Sequence, residues 1–357
     1  MSIFDSVLKE SESLFKNELA LSYEFIPKMI PFRESQQRII ASCIAPLFQN
    51  RNGRNLIIYG PPGVGKTVAT RHVLMELEEK TDEIFPIYIN CWQRNTSFKI
   101  MLDICQQIGY SFTHNKKTDE LFSIIRTKLN KMSTVFVFDE IDKAEDKDFL
   151  YWILSDILQK SVILLTNYKS VITDMDMRIK SRLTPETVEF LPYNKEETVG
   201  ILDKRRELAF HDGVWKKNAF QKVADKTNEI RDIRSGLYLL KESGLAGEER
   251  ASKLIEGKDV NSAIRKLEEF KIKNSNELED DIKSILALIK SKASGKIGDL
   301  YKEYQKQGGT ASYKTFQRKI NKLTEGKFIT AKRITGGAEG NTTMISYNTA
   351  TKTLDEF

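Results

Sequence analysis

Cysteine and histidine each occur only three times in the 357 residues. Cys43, Cys91 and Cys105 are odd in number and none belongs to a C-x-x-C pair, so reduced core thiols are expected rather than a disulfide framework. His72, His114 and His211 lie far apart, without the spacing of a metal site. No apolar run approaches the roughly 18 residues of a membrane helix. The start, Met1-Ser-Ile-Phe-Asp, lacks the pattern of a secretory signal. Together these absences imply a soluble chain that works in the cytoplasm, with no membrane partner.

What the chain does have is length for two or three domains and a hydrophobic fraction of 40%, enough for ordinary cores. The net charge of +6 is unevenly spread. From Asp281 onward fourteen Lys and Arg stand against seven Asp and Glu, which leaves the other 280 residues at −1. An excess of positive charge confined to one end is expected where that end meets nucleic acid.

The densest signal lies between Asn55 and Thr67. Leu56 to Tyr59 is a short apolar run ending at glycine, as in a buried parallel strand. Gly60-Pro61-Pro62-Gly63-Val64-Gly65-Lys66-Thr67 fits G-x-x-x-x-G-K-[ST], and a helical pattern follows from Val68. The glycines let backbone N–H groups converge on phosphate oxygens, and the new helix adds its positive end. Lys66 is placed to reach the β- and γ-phosphates of ATP or ADP, and the Thr67 hydroxyl to ligate Mg²⁺.

Taken in order, an amphipathic helix is expected up to Leu21, then an extended stretch from Tyr23 to Glu34 broken by two prolines. A helix over about 35–48 leads into the phosphate-loop strand. Further strands are expected at Ile84–Asn90, from Thr134, at Ser161–Asn167 and at Thr187–Leu191, with helices near Ser97–Ile108, Thr118–Lys131 and Phe149–Gln159. Five strands alternating with helices imply an α/β, doubly wound parallel sheet. Asp139 and Glu140 fall at the carboxyl end of the strand containing Val135–Phe138, where such sheets bind ligands. Asp139 suits Mg²⁺, and Glu140 suits a general base for the attacking water. Asn167, at the next strand tip, could orient that water or touch the γ-phosphate.

Residues 194–270 carry helical periodicity without strand signals, as a helical lid would. Lys271–Asp280 reads as a polar linker. The basic end then shows three helices, Ile282–Ser291, Ile297–Gln307 (ended by Gly308-Gly309) and one capped by Ser312. In the third, Phe316, Ile320 and Leu323 line one face, while Lys314, Gln317, Arg318 and Asn321 share the other, with Lys322 suited to backbone contact. Strands at Phe328–Ile334, which includes Arg333, and Thr343–Tyr347 flank Gly336–Gly340. This is the pattern of a winged helix-turn-helix.

Four further stretches make the chain resemble the AAA+ ATPases of the archaeal origin-recognition and cell-division-control initiator clade. They are Ile26-Pro27 through Arg33-Glu34, Asn90-Cys-Trp-Gln-Arg, Asp176-Met-Arg-Ile-Lys-Ser-Arg-Leu and Asp232-Ile-Arg-Ser-Gly-Leu. The resemblance implies that Arg33 lies near the adenine and that Arg178 or Arg182 is a finger presented to a neighbouring subunit. Arg234 would be the second sensor, and the insertion Trp92–Phe98, with Arg94, would touch DNA. Where the family has Gly-Asp before that sensor, this chain has Arg231-Asp232. The implied division is an ATPase core over 1–192, a lid over 193–275 and a winged helix over 276–357. The implied function is an ATP-dependent, slowly hydrolysing initiator that binds double-stranded origin DNA, recruits the replicative helicase, assembles with other initiator subunits and associates with the nucleoid. Two other readings stay open on the residues alone: a branch-migration motor and a nucleotide-gated transcriptional regulator.

Overall fold

The computed structural model describes residues 13–276, 280–309, 311–325, 328–334 and 342–347. Contacts divide the chain into two units, Met1–Leu267 and Glu268–Phe357.

The first unit is built on five strands: β1 (Leu56–Tyr59), β2 (Ile84–Asn90), β3 (Ser133–Asp139), β4 (Lys160–Thr166) and β5 (Glu186–Glu189). Their order is β2-β3-β4-β1-β5, and every pairing is parallel. The absence of polar alternation in β1, β3 and β4 has a direct cause: both faces are covered. Ile57, Phe136, Phe138, Val162 and Leu164 pack against helices Ser97–Gln107, Thr118–Leu129 and Asp148–Asp156. Leu56, Ile58, Val135, Val137, Ile163 and Leu165 pack against helices Glu34–Ile44 and Lys66–Lys80. Each such buried side chain contributes about 1.5–3 kcal/mol. The strand order sets the ends of β3, β4 and β1 side by side, with Tyr59 opposite Thr166.

Four helices follow the sheet: Lys195–Ala209, Lys217–Ile230, Ile233–Glu249 and Gly257–Asn276. Asn194 starts the first with a capping box closed by Glu197. The helix expected before Leu21 is not formed by residues 13–17. Phe15 instead bridges to Phe210, the Lys16 and Asn17 N–H groups donate to the Ala209 carbonyl, and only Glu18–Leu21 coils, as a 3₁₀ turn. The apolar residues behind that expectation, Leu14 and Leu21, are buried among the helices that follow the sheet, so tertiary packing overrides local propensity. Residues 1–12 lie outside the described ones. A second correction concerns Lys271–Asp280. Lys271–Asn276 continues a helix, because a charged run without Gly or Pro does not break one. Residues 277–279 lie outside the described ones, and Asp280 already opens the next helix.

The second unit has helices Asp280–Lys292, Ile297–Lys306 and Tyr313–Glu325 and an antiparallel sheet in the order β6 (Ser294–Lys296), β8 (Thr342–Tyr347), β7 (Ile329–Ile334). Ser312 caps the third helix through the Thr315 N–H. β6 falls between the first two expected helices, where no strand is expected from the sequence. Three residues are too few to show alternation, and the strand exists because β8 pairs with it. Phe316, Ile320 and Leu323 are buried together with Ile285, Leu300 and Ile345, as the helical spacing requires.

Candidate functional site

The loop after β1 closes around glycines with left-handed backbone, φ +75° at Gly63 and +87° at Gly65. Close approach forbids side chains there too: a Cβ on Gly63 would meet the Asp232 carboxylate, and one on Gly65 the Tyr193 hydroxyl. Helix Lys66–Lys80 starts immediately, so Lys66 and Thr67 stand at its N-terminus beside its free N–H groups.

Lys66 Nζ donates to the carbonyls of Gly60 (2.7 Å) and Pro61 (2.9 Å) and to Asn167 Oδ1 (2.9 Å). Burial pulls its ammonium down to about 8, against the opposing pull of Asp139. The Thr67 hydroxyl donates to Asp139 Oδ2 at 2.7 Å, and the Tyr88 hydroxyl donates to the same oxygen at 2.7 Å. The Glu140 N–H donates to Asp139 Oδ1 at 2.9 Å. Asp139 is only 3% exposed. Glu140 itself is left-handed (φ 54°), a conformation costing a non-glycine residue about 1–2 kcal/mol. Burial, then the charges of Asp139 and Asp142, push its carboxyl above the ordinary range.

Asp142, one turn further, accepts from the Thr166 hydroxyl at 2.9 Å and so ties the loop after β3 to the tip of β4 that carries Asn167. Among the described residues no three His, Cys, Asp or Glu side chains converge as a metal cage. A hydroxyl and a carboxylate at the loop nevertheless make a hard-oxygen pair that fits a cation completing its shell with phosphate and water.

Arg33 is buried. Its Nε donates to the Val64 carbonyl (3.1 Å) and its Nη2 to the Leu191 carbonyl (2.5 Å), and the guanidinium lies 3.9 Å over the Tyr193 ring. It thus clasps the outer side of the loop between Val64 and the residues after β5. Arg234 follows Asp232, whose carboxylate caps helix Ile233–Glu249 by accepting from the Arg234 N–H at 2.9 Å. The Arg234 Nε lies 3.4 Å from the same oxygen, and its charge is felt at both Lys66 and Glu140. Arg231, standing where glycine is expected, adopts φ 59° and keeps the turn.

In the first unit, the other residues singled out from the sequence have partners outside this cluster. Arg178 and Arg182, exposed on helix Met177–Leu183, lie 5.5 and 4.7 Å over the Tyr151 ring. Arg178 pairs with Asp176, and Arg182 donates to the Arg178 carbonyl. Arg94 pairs with Asp103 at 2.8 Å beside Trp92, which is 64% exposed. In the second unit Lys314, Gln317, Arg318 and Asn321 are all exposed on the face opposite the buried one. The side chains of Lys322 and Arg333, and all of Gly336–Gly340, lie outside the described residues.

Three residues of the cluster carry no sequence signal of their own: Tyr88, Asp142 and Tyr193. Asp142 follows Glu140 by two, Tyr88 is an ordinary strand residue, and Tyr193 lies in the short connection after β5. Only the sheet register and the return of the helical segment bring them to the loop.

Residues 49–166 match the AAA domain family, and residues 199–265 match the family described as the Cdc6 AAA+ ATPase-type lid domain. The chain is 31% identical to the ORC1-type DNA replication protein 1 of Sulfolobus acidocaldarius, over 96% of this chain and 93% of the relative. In fold it is similar to the Aeropyrum pernix ORC1 protein, solved in complex with DNA (TM-score 0.73, 24% identity, 94% of each chain covered). It is also similar to the Aeropyrum pernix ORC2 protein in ADPNP–ADP complexes (TM-score 0.68, 15% identity, 95% of each chain).

Proposed function

The chain belongs to the ORC1/Cdc6-type family of archaeal AAA+ replication initiators, and from that premise we propose that it binds origin DNA under the control of bound ATP, which it hydrolyses slowly. The observation that carries the nucleotide half is the convergence of Lys66, Thr67, Asp139 and Asn167 on one loop at the carboxyl end of the sheet. The DNA half rests on the exposed polar face of helix Tyr313–Glu325 within the C-terminal stretch from Asp281, which carries seven excess positive charges.

In this reading the loop from Gly60 to Val68 offers its N–H groups to the phosphates, and Lys66 exchanges the carbonyls of Gly60 and Pro61 for phosphate oxygens. Thr67 and Asp139 would hold Mg²⁺, which when bound offsets the charge on the β- and γ-phosphates. Glu140, its carboxyl raised by burial and by its acidic neighbours, accepts a proton from the attacking water, and Asn167 orients that water. Arg234 approaches the γ-phosphate from the same chain, while Arg178 or Arg182 serves a neighbouring subunit. Arg33 and Tyr193 shape the wall beside the base, with Arg33 acting through the backbone rather than by free contact with the ring. Arg94 and Trp92 would give a second DNA contact besides Lys314, Gln317, Arg318, Asn321, Lys322 and Arg333. The proposal includes recruitment of the replicative helicase, assembly with other initiator subunits and the division into core 1–192, lid 193–275 and winged helix 276–357. Among the described residues no helix is long and apolar enough to cross a membrane.

Genome-wide mapping of bound sites against replication start points tests the reading. Coincidence with start points is the expected result. Binding confined to promoters, with no hydrolysis, would instead make it a nucleotide-gated regulator.

A further inference from the structure

The carboxylate of Asp139 has a neighbour that belongs to no motif. The parallel register sets Tyr88 of β2 against Val137 of β3, and Asn90 against Asp139. The Tyr88 side chain therefore starts two residues behind the carboxylate, roughly 7 Å along the strand. A tyrosine ring with its hydroxyl spans that interval, and the hydroxyl donates to Asp139 Oδ2 at 2.7 Å. Tyr88 packs against the apolar cluster to which Val135, Val137, Ala69 and Val73 belong, so packing alone would be served by phenylalanine. From the phosphate-loop helix, Arg71 lies 5.3 Å over the same ring.

We propose that Tyr88 is a positioning residue for the Mg²⁺ carboxylate. With Thr67 it fixes Oδ2, while the Glu140 N–H fixes Oδ1, so the carboxylate is already oriented toward Thr67 before a cation arrives. Tyr88 needs no contact with nucleotide or water for this; it acts through Asp139 alone. Without its hydroxyl, Oδ2 keeps one donor of two, and the ordering of the carboxylate has to accompany cation binding. Partners that orient a metal-binding group typically change metal affinity by about 10–100-fold. The inference rests on the reading of Asp139 as the Mg²⁺ carboxylate.

The test is a titration of ATP affinity against Mg²⁺, with a parallel measurement in EDTA, for the full chain, Tyr88→Phe, Asp139→Asn and the double variant. Tyr88→Phe should raise the Mg²⁺ concentration at half-effect about tenfold, leave ATP affinity in EDTA unchanged, and add nothing in the Asp139→Asn background. An unchanged Mg²⁺ midpoint, or a loss of equal size in EDTA, assigns Tyr88 to packing and overturns the inference. So does a full-sized effect in the Asp139→Asn background. Should Asp139→Asn itself leave the Mg²⁺ dependence untouched, the premise fails first and the inference falls with it.

Discussion

On the phosphate-loop reading, Lys66 is the residue at which folding and binding make opposite demands. Buried against the loop carbonyls, its ammonium is pulled down to about 8 from 10.5, so the charged form costs the folded state. That cost is fully present below pH 8 and disappears as pH rises toward 10.5; over that window the unfolded chain holds more protons and stability rises with pH. Phosphate reverses the preference, because an anion favours the ammonium. ATP affinity should therefore fall as pH rises through about 8, with proton uptake on binding that calorimetry in buffers of different ionisation enthalpy will register. Lys66→Ala should abolish tight binding and its proton uptake together; unchanged affinity in the folded variant would sink the phosphate-loop reading. Glu140 is the complementary case. Glu140→Gln should bind ATP normally and hydrolyse it ~10²–10⁴-fold more slowly. A turnover rate within a few-fold of wild type would remove Glu140 from the base role.

Between helices Lys217–Ile230 and Ile233–Glu249 the turn is made by Arg231, left-handed where a side chain is a burden, followed at once by the capping Asp232. Its N–H still closes onto the Thr227 carbonyl at 2.9 Å, so the geometry a glycine would favour is held by its surroundings. Arg231→Gly should stabilise the protein by about 0.5–1 kcal/mol in urea unfolding, with ATP affinity unchanged because Asp232 and Arg234 keep their places. Destabilisation would mean that the Arg231 side chain makes contacts outweighing the strain. At this scale the limits of the sequence are also visible. The loop Gly60–Thr67 and the pair Asp139-Glu140 are legible because each is contiguous and its chemistry dictates residue types. β3 and β4 are legible because both their faces are buried. Tyr88 and Asp142 are not, since their roles depend on which strand lies alongside and in what register. β6 and the N-terminal residues 13–17 are missed for the same reason: Ser294–Lys296 and Phe15 take their conformation from partners about fifty and two hundred residues away.

Across the whole molecule, charge is segregated: the stretch from Asp281 onward carries seven excess positive charges and the remainder is nearly neutral. Nucleotide chemistry and DNA affinity should therefore respond to different substitutions. Arg178 and Arg182 are exposed and engaged with Asp176, the Arg178 carbonyl and Tyr151 rather than with the loop of their own chain. A finger acting on a neighbour predicts that Arg182→Ala or Arg178→Ala spares ATP binding yet depresses hydrolysis in an assembled complex, where such fingers supply ~10³–10⁵-fold in other hydrolases. Hydrolysis independent of protein concentration, in wild type and variants alike, would show that each chain works alone. On helix Tyr313–Glu325 the burial of Phe316 and Ile320 leaves Lys314 and Arg318 exposed together on the polar face. A bidentate guanine contact by Arg318 would make Arg318→Ala lose about 1–3 kcal/mol on the cognate duplex and relax preference at one base pair. A phosphate contact by Lys314 would make Lys314→Ala weaken every sequence alike and lower the salt slope by about one unit. Anisotropy titrations of the full chain on cognate and scrambled duplexes at several salt concentrations separate the two. Equal losses on both duplexes for Arg318→Ala would show that this helix meets phosphates and leaves base reading to another element. No loss on either, for both variants, would remove the helix from the DNA interface.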